Sequence, residues 1–343
     1  MILDRPFPHR ALLTGASGFV GGRLRTALLE AGSDVLAIIR PTSRVPEEGR
    51  SVRANYTDQA ALGRILAEEK PDYVFHVAGV TKGVTYEDFR LGNVMPTRNL
   101  LAAARHHHPD LKRFVLVSSL AAYGPSTPSR PLEETDPPRP IEHYGTSKLE
   151  AERVLESEGG EVPWTILRPS GVYGPGDVDY FNLFREASSG RNTYFGNRQR
   201  WFSAVYVDDC VRALVEAALS PQARGRGYFV DDGVPVTWEV FQKTVCNAAG
   251  RRVFTFDLPE FVVSLAALGG EALTRLDGKP RLLNRQKAKM GAQAAWTCSS
   301  EAAHRDFGWS ARVPLARGIE ESFAWYRRQN WMPSASAASR GQN

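Results

Sequence analysis

Residues Thr14-Gly15-Ala16-Ser17-Gly18-Phe19-Val20-Gly21 set three glycines at intervals of three directly after the apolar run 11–13 and directly before a helix-period segment. Glycines so spaced let the backbone turn tightly, approach a pyrophosphate closely and seat the following helix on a sheet. The helix N-terminus adds free N–H groups and positive potential. A glycine triplet alone is more often a turn; strand, loop and helix in this order predict a dinucleotide site. Gly15, Ser17, Gly18, Phe19, Val20 and Gly21 are its expected cofactor-binding residues.

The rest of the first half agrees with that beginning. Apolar runs at residues 11–13, 35–39, 73–77, 114–117 and 164–167 alternate with helical patterns, which predicts an α/β fold with a doubly wound parallel Rossmann sheet. Val20, Leu24, Ala27, Leu28 and Ala31 share one helix face, and Gly32 stands where a helix end favours glycine. Further helices are expected around Leu62, Ile65 and Leu66, over 94–104 and over 144–155. After Arg168, Pro169, Gly171, Gly174, Pro175 and Gly176 break any regular element, so a second, smaller α/β substrate lobe is expected to start there. Runs 205–207 and 228–230 read as strands flanking a helix at 208–219, and both are expected to rejoin the first sheet. The expected domains are thus a Rossmann unit of 9–168 with 204–231 returning to it, a substrate lobe of 169–203 and 232–331, and a disordered tail at 332–343. A last helix carries Leu315, Ile319, Phe323 and Tyr326 on one face, and no internal repeat is visible.

Composition narrows the class. With 343 residues, 42% hydrophobic and 24% charged, the chain is neither a disordered segment nor a fibre nor a disulfide-rich miniprotein. Its 43 basic and 38 acidic residues are dispersed, so the net charge of +5 describes a solvated surface and not a nucleic-acid partner. Cys210, Cys246 and Cys298 are odd in number and fit no metal spacing, which points to a reducing compartment. Residues 1–10, with Asp4, Arg5, Pro6 and Pro8, resemble neither a signal nor a transit peptide, and a cytoplasmic protein is expected. The apolar run 261–276 contains Glu271 and Arg275 and is shorter than the roughly 20 apolar residues of a membrane span. His106-His107-His108 are adjacent on a helix, point in different directions and lack an acidic or cysteine partner nearby, so no metal site is expected.

Cofactor choice turns on the end of the second strand, Ile38-Ile39-Arg40. An NAD site usually puts Asp or Glu there to bond the ribose hydroxyls. A guanidinium instead suits a 2'-phosphate and can stack on adenine, so Arg40 favours NADP, with NAD as the alternative. Arg44 is placed to assist, and Asn55, after the third strand, to bond the adenine edge.

Tyr144-Gly145-Thr146-Ser147-Lys148 sets a phenol and an ammonium four residues apart, on one helix face. A free phenol titrates near pH 10, but a neighbouring cation favours its ionised form, so the pair is suited to moving a proton. Val115-Leu116-Val117-Ser118-Ser119 is a strand ending in hydroxyls, and parallel sheets bind ligands at such ends. Ser119 is therefore expected to hydrogen-bond the substrate oxygen.

At these residues the chain resembles the extended short-chain dehydrogenases/reductases, the NAD-dependent epimerase/dehydratase superfamily. The resemblance covers nearly the whole chain: Gly15, Gly18 and Gly21; His76-Val77-Ala78-Gly79; Asn93 at the head of a helix; Ser119; Tyr144 with Lys148; Leu167-Arg168-Pro169 with Val172-Tyr173-Gly174-Pro175-Gly176; and Val207-Asp208-Asp209. It implies Tyr144 as general acid/base, Lys148 as holder of the nicotinamide ribose, Ser119 as the hydroxyl steadying the substrate oxygen and Asn93 as support for a proton relay. Ser119 is preferred to Ser118 for its spacing to Tyr123-Gly124. The resemblance further implies cofactor contacts at Val77, Ala78, Gly79, Pro169 and Val172, a substrate contact at Thr81, and a homodimer paired through helices 93–105 and 144–155.

Three departures bear on the substrate. Ser119 is followed by Leu120 and Ala121, where 4,6-dehydratases carry an acidic pair. Many sugar-nucleotide epimerases have a diphosphate-binding arginine at the position of Phe202, although Arg200 stands nearby. Region 258–290, with its apolar run 261–276, is similar to bacterial members of the 3beta-hydroxysteroid dehydrogenase-like branch, in which a hydrophobic lid covers a lipid-like substrate; closing the second lobe's core is its other reading. The expectation is a reductase or alcohol dehydrogenase acting on a lipid-like or polycyclic substrate lined by Trp201 and Phe202. A nucleotide-sugar epimerase or reductase is the first alternative and a non-catalytic NAD(P)-sensing protein the second. Arg281, Arg285, Lys287 and Lys289 also permit peripheral contact with an anionic membrane.

Overall fold

In the computed structural model, which describes residues 2–260, 262 and 285–332, the first half builds a parallel sheet. Its elements are β1 (Arg10–Thr14), α1 (Phe19–Glu30), β2 (Asp34–Ile39), β3 (Arg50–Arg53), α2 (Gln59–Glu69), β4 (Tyr73–His76), α3 (Tyr86–Phe89), α4 (Met95–His107), β5 (Arg113–Val117), α5 (His143–Glu158) and β6 (Trp164–Pro169). A π-turn, Arg90–Val94, joins α3 to α4. The second half adds β7 (Gly171–Tyr173), α6 (Phe181–Ser188), β8 (Arg191–Phe195), β9 (Trp201–Phe202), β10 (Ala204–Tyr206), α7 (Val207–Leu219), β11 (Arg226–Val230), β12 (Val236–Thr237), α8 (Trp238–Ala248), β13 (Phe254–Leu258), α9 (Arg285–Gly291), β14 (Ala295–Trp296), α10 (Glu301–Phe307) and α11 (Leu315–Arg328).

The strand order is β11-β6-β5-β4-β1-β2-β3, and every ladder is parallel. Alternate side chains explain why these strands read as unbroken apolar runs: both faces are covered. Leu13, Phe75 and Val115 pack with Leu24 and Leu28 of α1 and with Val211 and Leu214 of α7. Leu12, Val74 and Phe114 face the other way, onto Leu66 of α2, Leu101 of α4 and Leu155 of α5. The chain reverses its winding between β1 and β4, so the loops leaving their carboxyl ends diverge and leave a crevice there. Thr14 and His76 close its floor: Thr14 Oγ1 lies 2.7 Å from His76 Nδ1 and accepts from the Ala78 amide at 3.1 Å.

Run 205–207 departs from expectation. It forms β10, but β10 pairs with β7 in a separate two-stranded sheet, and only β11 rejoins the central one. The cause is a split after Pro169: the Ser170 amide still donates to Val230 O, whereas the Gly171 amide turns to Ser203 O. Around β7 and β10 gathers an aromatic core of Tyr173, Phe184, Phe202, Tyr206, Phe241, Phe323 and Tyr326. Asp209, at the start of α7, ties the late chain to the sheet. Its carboxylate accepts from Arg212 Nη2 at 2.6 Å and from the Arg312 and Val313 amides, both at 2.9 Å, and its carbonyl accepts from the buried Trp309 indole at 3.2 Å. No helix among the described residues is long and apolar enough to cross a membrane. The apolar run 261–276, the basic residue Arg281 and the tail 333–343 lie outside the described residues.

Candidate active site

The glycines of the first loop each answer a measurable crowding. Gly15 has φ +76°, and a β-carbon on it would stand 2.7 Å from the Ala78 amide nitrogen. One on Gly21 would stand 2.1 Å from Gly15 O, so the first turn of α1 rests directly on the loop. The N-cap of α1 is Gly18, which offers no side-chain bond, and its first turn contains no acid. Side chains cap some helices, Asp58 accepting from the Ala61 amide, Glu142 from two amides of α5 and Thr237 from the Val240 amide, whereas α1, like α7 and α11, has no such cap. The open end of α1, with Ser17 and Gly18 exposed and Phe19 and Val20 half-buried, keeps its orphan N–H groups and positive potential for an anion, and a dinucleotide pyrophosphate fits it.

Arg40 is exposed just past β2, and its guanidinium forms no ion pair among the described residues. Arg53 braces the loop beyond it, donating to the carbonyls of Arg40 at 3.3 Å, of Ser43 at 3.2 Å and of Pro41. Arg44 is committed to Glu47 at 2.6 Å, and the exposed Asn55 accepts from the Thr57 amide at 3.1 Å.

Ser119, Tyr144 and Lys148 converge at the carboxyl ends of β4 and β5. Glu142 caps α5, accepting from the Tyr144 amide at 2.6 Å and the Gly145 amide at 2.5 Å. The same first turn presses on Leu120–Ala122, the short 3-10 turn after Ser119, whose Oγ accepts from the Ala121 amide at 3.2 Å. One helical turn on, Lys148 is buried and donates from Nζ to Val117 O at 2.6 Å. A β-carbon on Gly79 would stand 3.7 Å from that Nζ, so the end of β4 adjoins the ammonium. Neighbouring Ser118 faces elsewhere: it is buried and donates to Glu152, which also holds the buried Arg168 guanidinium at 2.9 Å. Arg168 in turn lies over the Tyr123 ring, 4.6 Å from its centroid.

Electrostatics separate the two titrating groups in the opposite sense to a ready phenolate. Desolvation pushes Tyr144 up to about 12, with the Ser119 hydroxyl opposing and the Glu142 and Asp179 charges adding. Desolvation pushes Lys148 down to about 8, against the Glu152 charge. In the free protein Tyr144 is therefore a neutral phenol, a proton donor.

Asn93 is buried and fully occupied. Its Oδ1 accepts from the Val80 amide at 2.7 Å, while Nδ2 donates to Val80 O at 3.1 Å and to Ser147 Oγ at 2.8 Å. It links the loop after β4 to α5. Three groups escaped the sequence reading: Glu142, readable as a cap two residues ahead of Tyr144; Ser147, inside the motif itself; and His76, which bridges Thr14 to Thr97 Oγ1 (3.0 Å) and carries no sequence signal of that role.

On the second-lobe side Trp201 is exposed, whereas Phe202 is buried and stacked on Trp238 with centroids 4.4 Å apart. Arg200 pairs with Glu260 at 2.9 Å. Pro169 is buried, Val77, Ala78 and Val172 are half-buried, and Thr81 is exposed. Beside Thr81, Lys82 reaches Asp179 at 3.4 Å. The three consecutive histidines do part company: His108 Nε2 meets Pro71 O at 2.8 Å, and His106 lies against Arg105.

Comparison with known proteins agrees with this fold. The model of the NAD dependent epimerase/dehydratase family matches residues 11–230. A 2-alkyl-3-oxoalkanoate reductase of Stenotrophomonas maltophilia is 30% identical over 328 residues, covering 90% of this chain and 97% of the reductase. A UDP-glucose 4-epimerase of Mycolicibacterium smegmatis is 28% identical over 94% of this chain and 99% of its own. A 3 beta-hydroxysteroid dehydrogenase/Delta 5-->4-isomerase of Mycobacterium tuberculosis is 28% identical over 92% and 90%. Among solved structures, UDP-glucose 4-epimerase of Thermotoga maritima with UDP-glucose superposes with a TM-score of 0.77 at 23% identity over 93% of this chain and 99% of that one, a likeness of fold.

Proposed function

This chain belongs to the NAD dependent epimerase/dehydratase family, and on that premise we propose that it is an NADP-dependent ketone reductase or alcohol dehydrogenase of lipid-like or polycyclic substrates. That it is an NAD(P)-dependent enzyme of the short-chain dehydrogenase/reductase superfamily follows from the family itself. The carrying observation is the packing of the first turn of α5, which bears Tyr144 and Lys148, on the turn after Ser119 at the end of β5, with the phenol held neutral. In this reading the glycine loop and the open end of α1 bind the pyrophosphate, Arg40 the 2'-phosphate, and Lys148 the nicotinamide ribose. The bound cofactor supplies a hydride to the carbonyl carbon.

Ser119 Oγ orients the carbonyl oxygen, and Tyr144 delivers its phenolic proton there, so that the C=O bond becomes CH–OH. The phenolate left behind is stabilised by the Lys148 ammonium, one helical turn away, until a proton returns from solvent. The reverse sequence oxidises the alcohol.

The lipid-like substrate is supported by Phe202 at the expected arginine position, by the engagement of Arg200 with Glu260 and by the 30% identity to a reductase of 2-alkyl-3-oxoalkanoates. A diphosphate brought to a wall without free cations would lose hydration that nothing there replaces, and among the described residues Arg200 is already engaged by Glu260. The similarity to a UDP-glucose 4-epimerase favours a second reading, in which a nucleotide sugar is the substrate. A parallel assay of steroid, long-chain keto-ester, UDP-sugar and GDP-sugar substrates, followed by NADPH fluorescence, separates the two. Turnover confined to nucleotide sugars overturns the reductase reading. The same reading includes a homodimer paired through α4 and α5, checked by light scattering at micromolar concentration.

A further inference from the structure

Among the described residues, the second lobe carries an apolar face that its core does not cover. β8 and β13 form a two-stranded parallel ribbon in the register Arg191↔Phe254, Thr193↔Phe256 and Phe195↔Leu258. Partners in a parallel register point to the same side, so these six residues share one face. The intervening Asn192 and Tyr194 point inward and are buried. Phe195, Phe254 and Phe256 are 54%, 58% and 53% exposed, three large apolar side chains side by side where isolated ones are the norm.

Arginines frame this face without matching acids. Arg191 heads β8; Arg252 lies over the Phe254 ring with Cζ 5.1 Å from its centroid; Arg251 spends one N–H on Ser188 O at 3.0 Å. None of the three forms an ion pair among the described residues. Of the acids nearest in sequence, Glu186 on α6 pairs with none of the three, Asp257 alternates to the opposite side of β13, and Glu260 is held by Arg200.

From this juxtaposition we infer that the β8–β13 face docks on an anionic phospholipid bilayer, the phenylalanines entering the interface and Arg191, Arg251 and Arg252 meeting lipid phosphates. Aromatic side chains settle at the headgroup boundary, and guanidinium groups pair with phosphate oxygens. A second copy of the chain is a poorer occupant, because a two-fold contact would set this arginine frame against itself. The inference is independent of the substrate reading, since it concerns a surface and not the active site.

The test is co-sedimentation of the full chain with vesicles of phosphatidylcholine alone or mixed equally with phosphatidylglycerol. Binding to the anionic vesicles alone, weakened by salt, is expected. Phe254→Ser with Phe256→Ser should weaken it about tenfold or more, as should Arg251→Glu with Arg252→Glu. Both pairs sit on the surface, and unchanged thermal melting verifies that they fold. Equal binding to both vesicle types, no binding by the wild type, or full binding by either variant overturns the inference. So does a halved solution mass on losing the two phenylalanines, which would make the face a contact between copies.

Discussion

Gly145 sits so close to Ala121 that a β-carbon on it would stand 2.2 Å from the Ala121 carbonyl oxygen. The missing side chain is what lets the first turn of α5 rest on the turn after Ser119, and thus what sets Tyr144 against Ser119. Gly145→Ala should separate the two elements, lowering kcat about a hundredfold while costing roughly 1–3 kcal/mol of stability. Steady-state kinetics with denaturant titration check this; a fully active variant would show that the contact does not position the phenol.

Tyr144→Phe removes the proposed proton donor and leaves the proposed dinucleotide contacts in place. Turnover should fall by about 10²–10⁴ with cofactor affinity nearly unchanged, whereas Lys148→Ala should damage both. Fluorescence titration with NADPH beside single-turnover rates distinguishes these outcomes. Retention of more than a tenth of wild-type turnover, about a tenth being well above that range, removes Tyr144 from the assignment.

The pH profile follows from the buried ammonium. Lys148, at about 8 in the free protein, loses its proton as pH rises through that value, while Tyr144, at about 12, stays a phenol. Reductive kcat/KM should therefore decline on the alkaline side with a midpoint near 8. A rate that stays level to the limit of protein stability would mean that the Lys148 charge does not contribute.

Arg40, exposed and without an ion pair, should give NADPH the tighter binding. Arg40→Ala should erase most of the preference, about 1–3 kcal/mol for a charge-assisted contact. Titration calorimetry with both cofactors decides it, equal wild-type affinities being the contrary result.

His76 predicts the acid response of the fold. Complete burial pushes the imidazole down to about 3 from its usual 6.5. Above pH 6.5 both folded and unfolded chains hold it neutral and its contribution to stability is intact. As pH falls toward 3 only the unfolded chain gains the proton, and stability is lost. The loss at about pH 5 should reach roughly 2 kcal/mol from this residue. The His76 ring resonances should not titrate between about pH 7.5 and 5, and a midpoint near the free value contradicts the account.

What the sequence disclosed was what local spacing encodes. The glycine loop, the apolar runs of the central sheet, and Ser119, Tyr144 and Lys148 each combine a residue type with a position on a strand end or helix face, and chain order suffices to read them. What stayed hidden depends on partners distant in sequence. Phe202 looks like any apolar residue until Trp238 is known to stack on it. Asn93 looks free until Val80 and Ser147 are found to exhaust its amide. β10 was indistinguishable from a strand of the main sheet because its three buried residues read the same beside β7 as beside β6. Tyr144 shows that composition of a motif does not fix its charge: Lys148 is four residues away, yet Glu142 and Asp179 add to the desolvation that keeps the phenol neutral.

The grip of Asp209 on the amides of Arg312 and Val313 bears on how such a chain can be recombined. Ala303 and Trp309 are buried with strands β1 and β4, although more than two hundred residues separate them in sequence. A graft that exchanges substrate specificity with a relative cannot use one crossover between α7 and the end of the chain. It has to bring in the lobe and leave behind the strand of polypeptide that Asp209 holds, or import Asp209, Arg212 and Trp309 as a matched set. Inheritance of a new substrate lobe in this architecture takes several junctions, because the last stretch of the chain is also a buttress of the first.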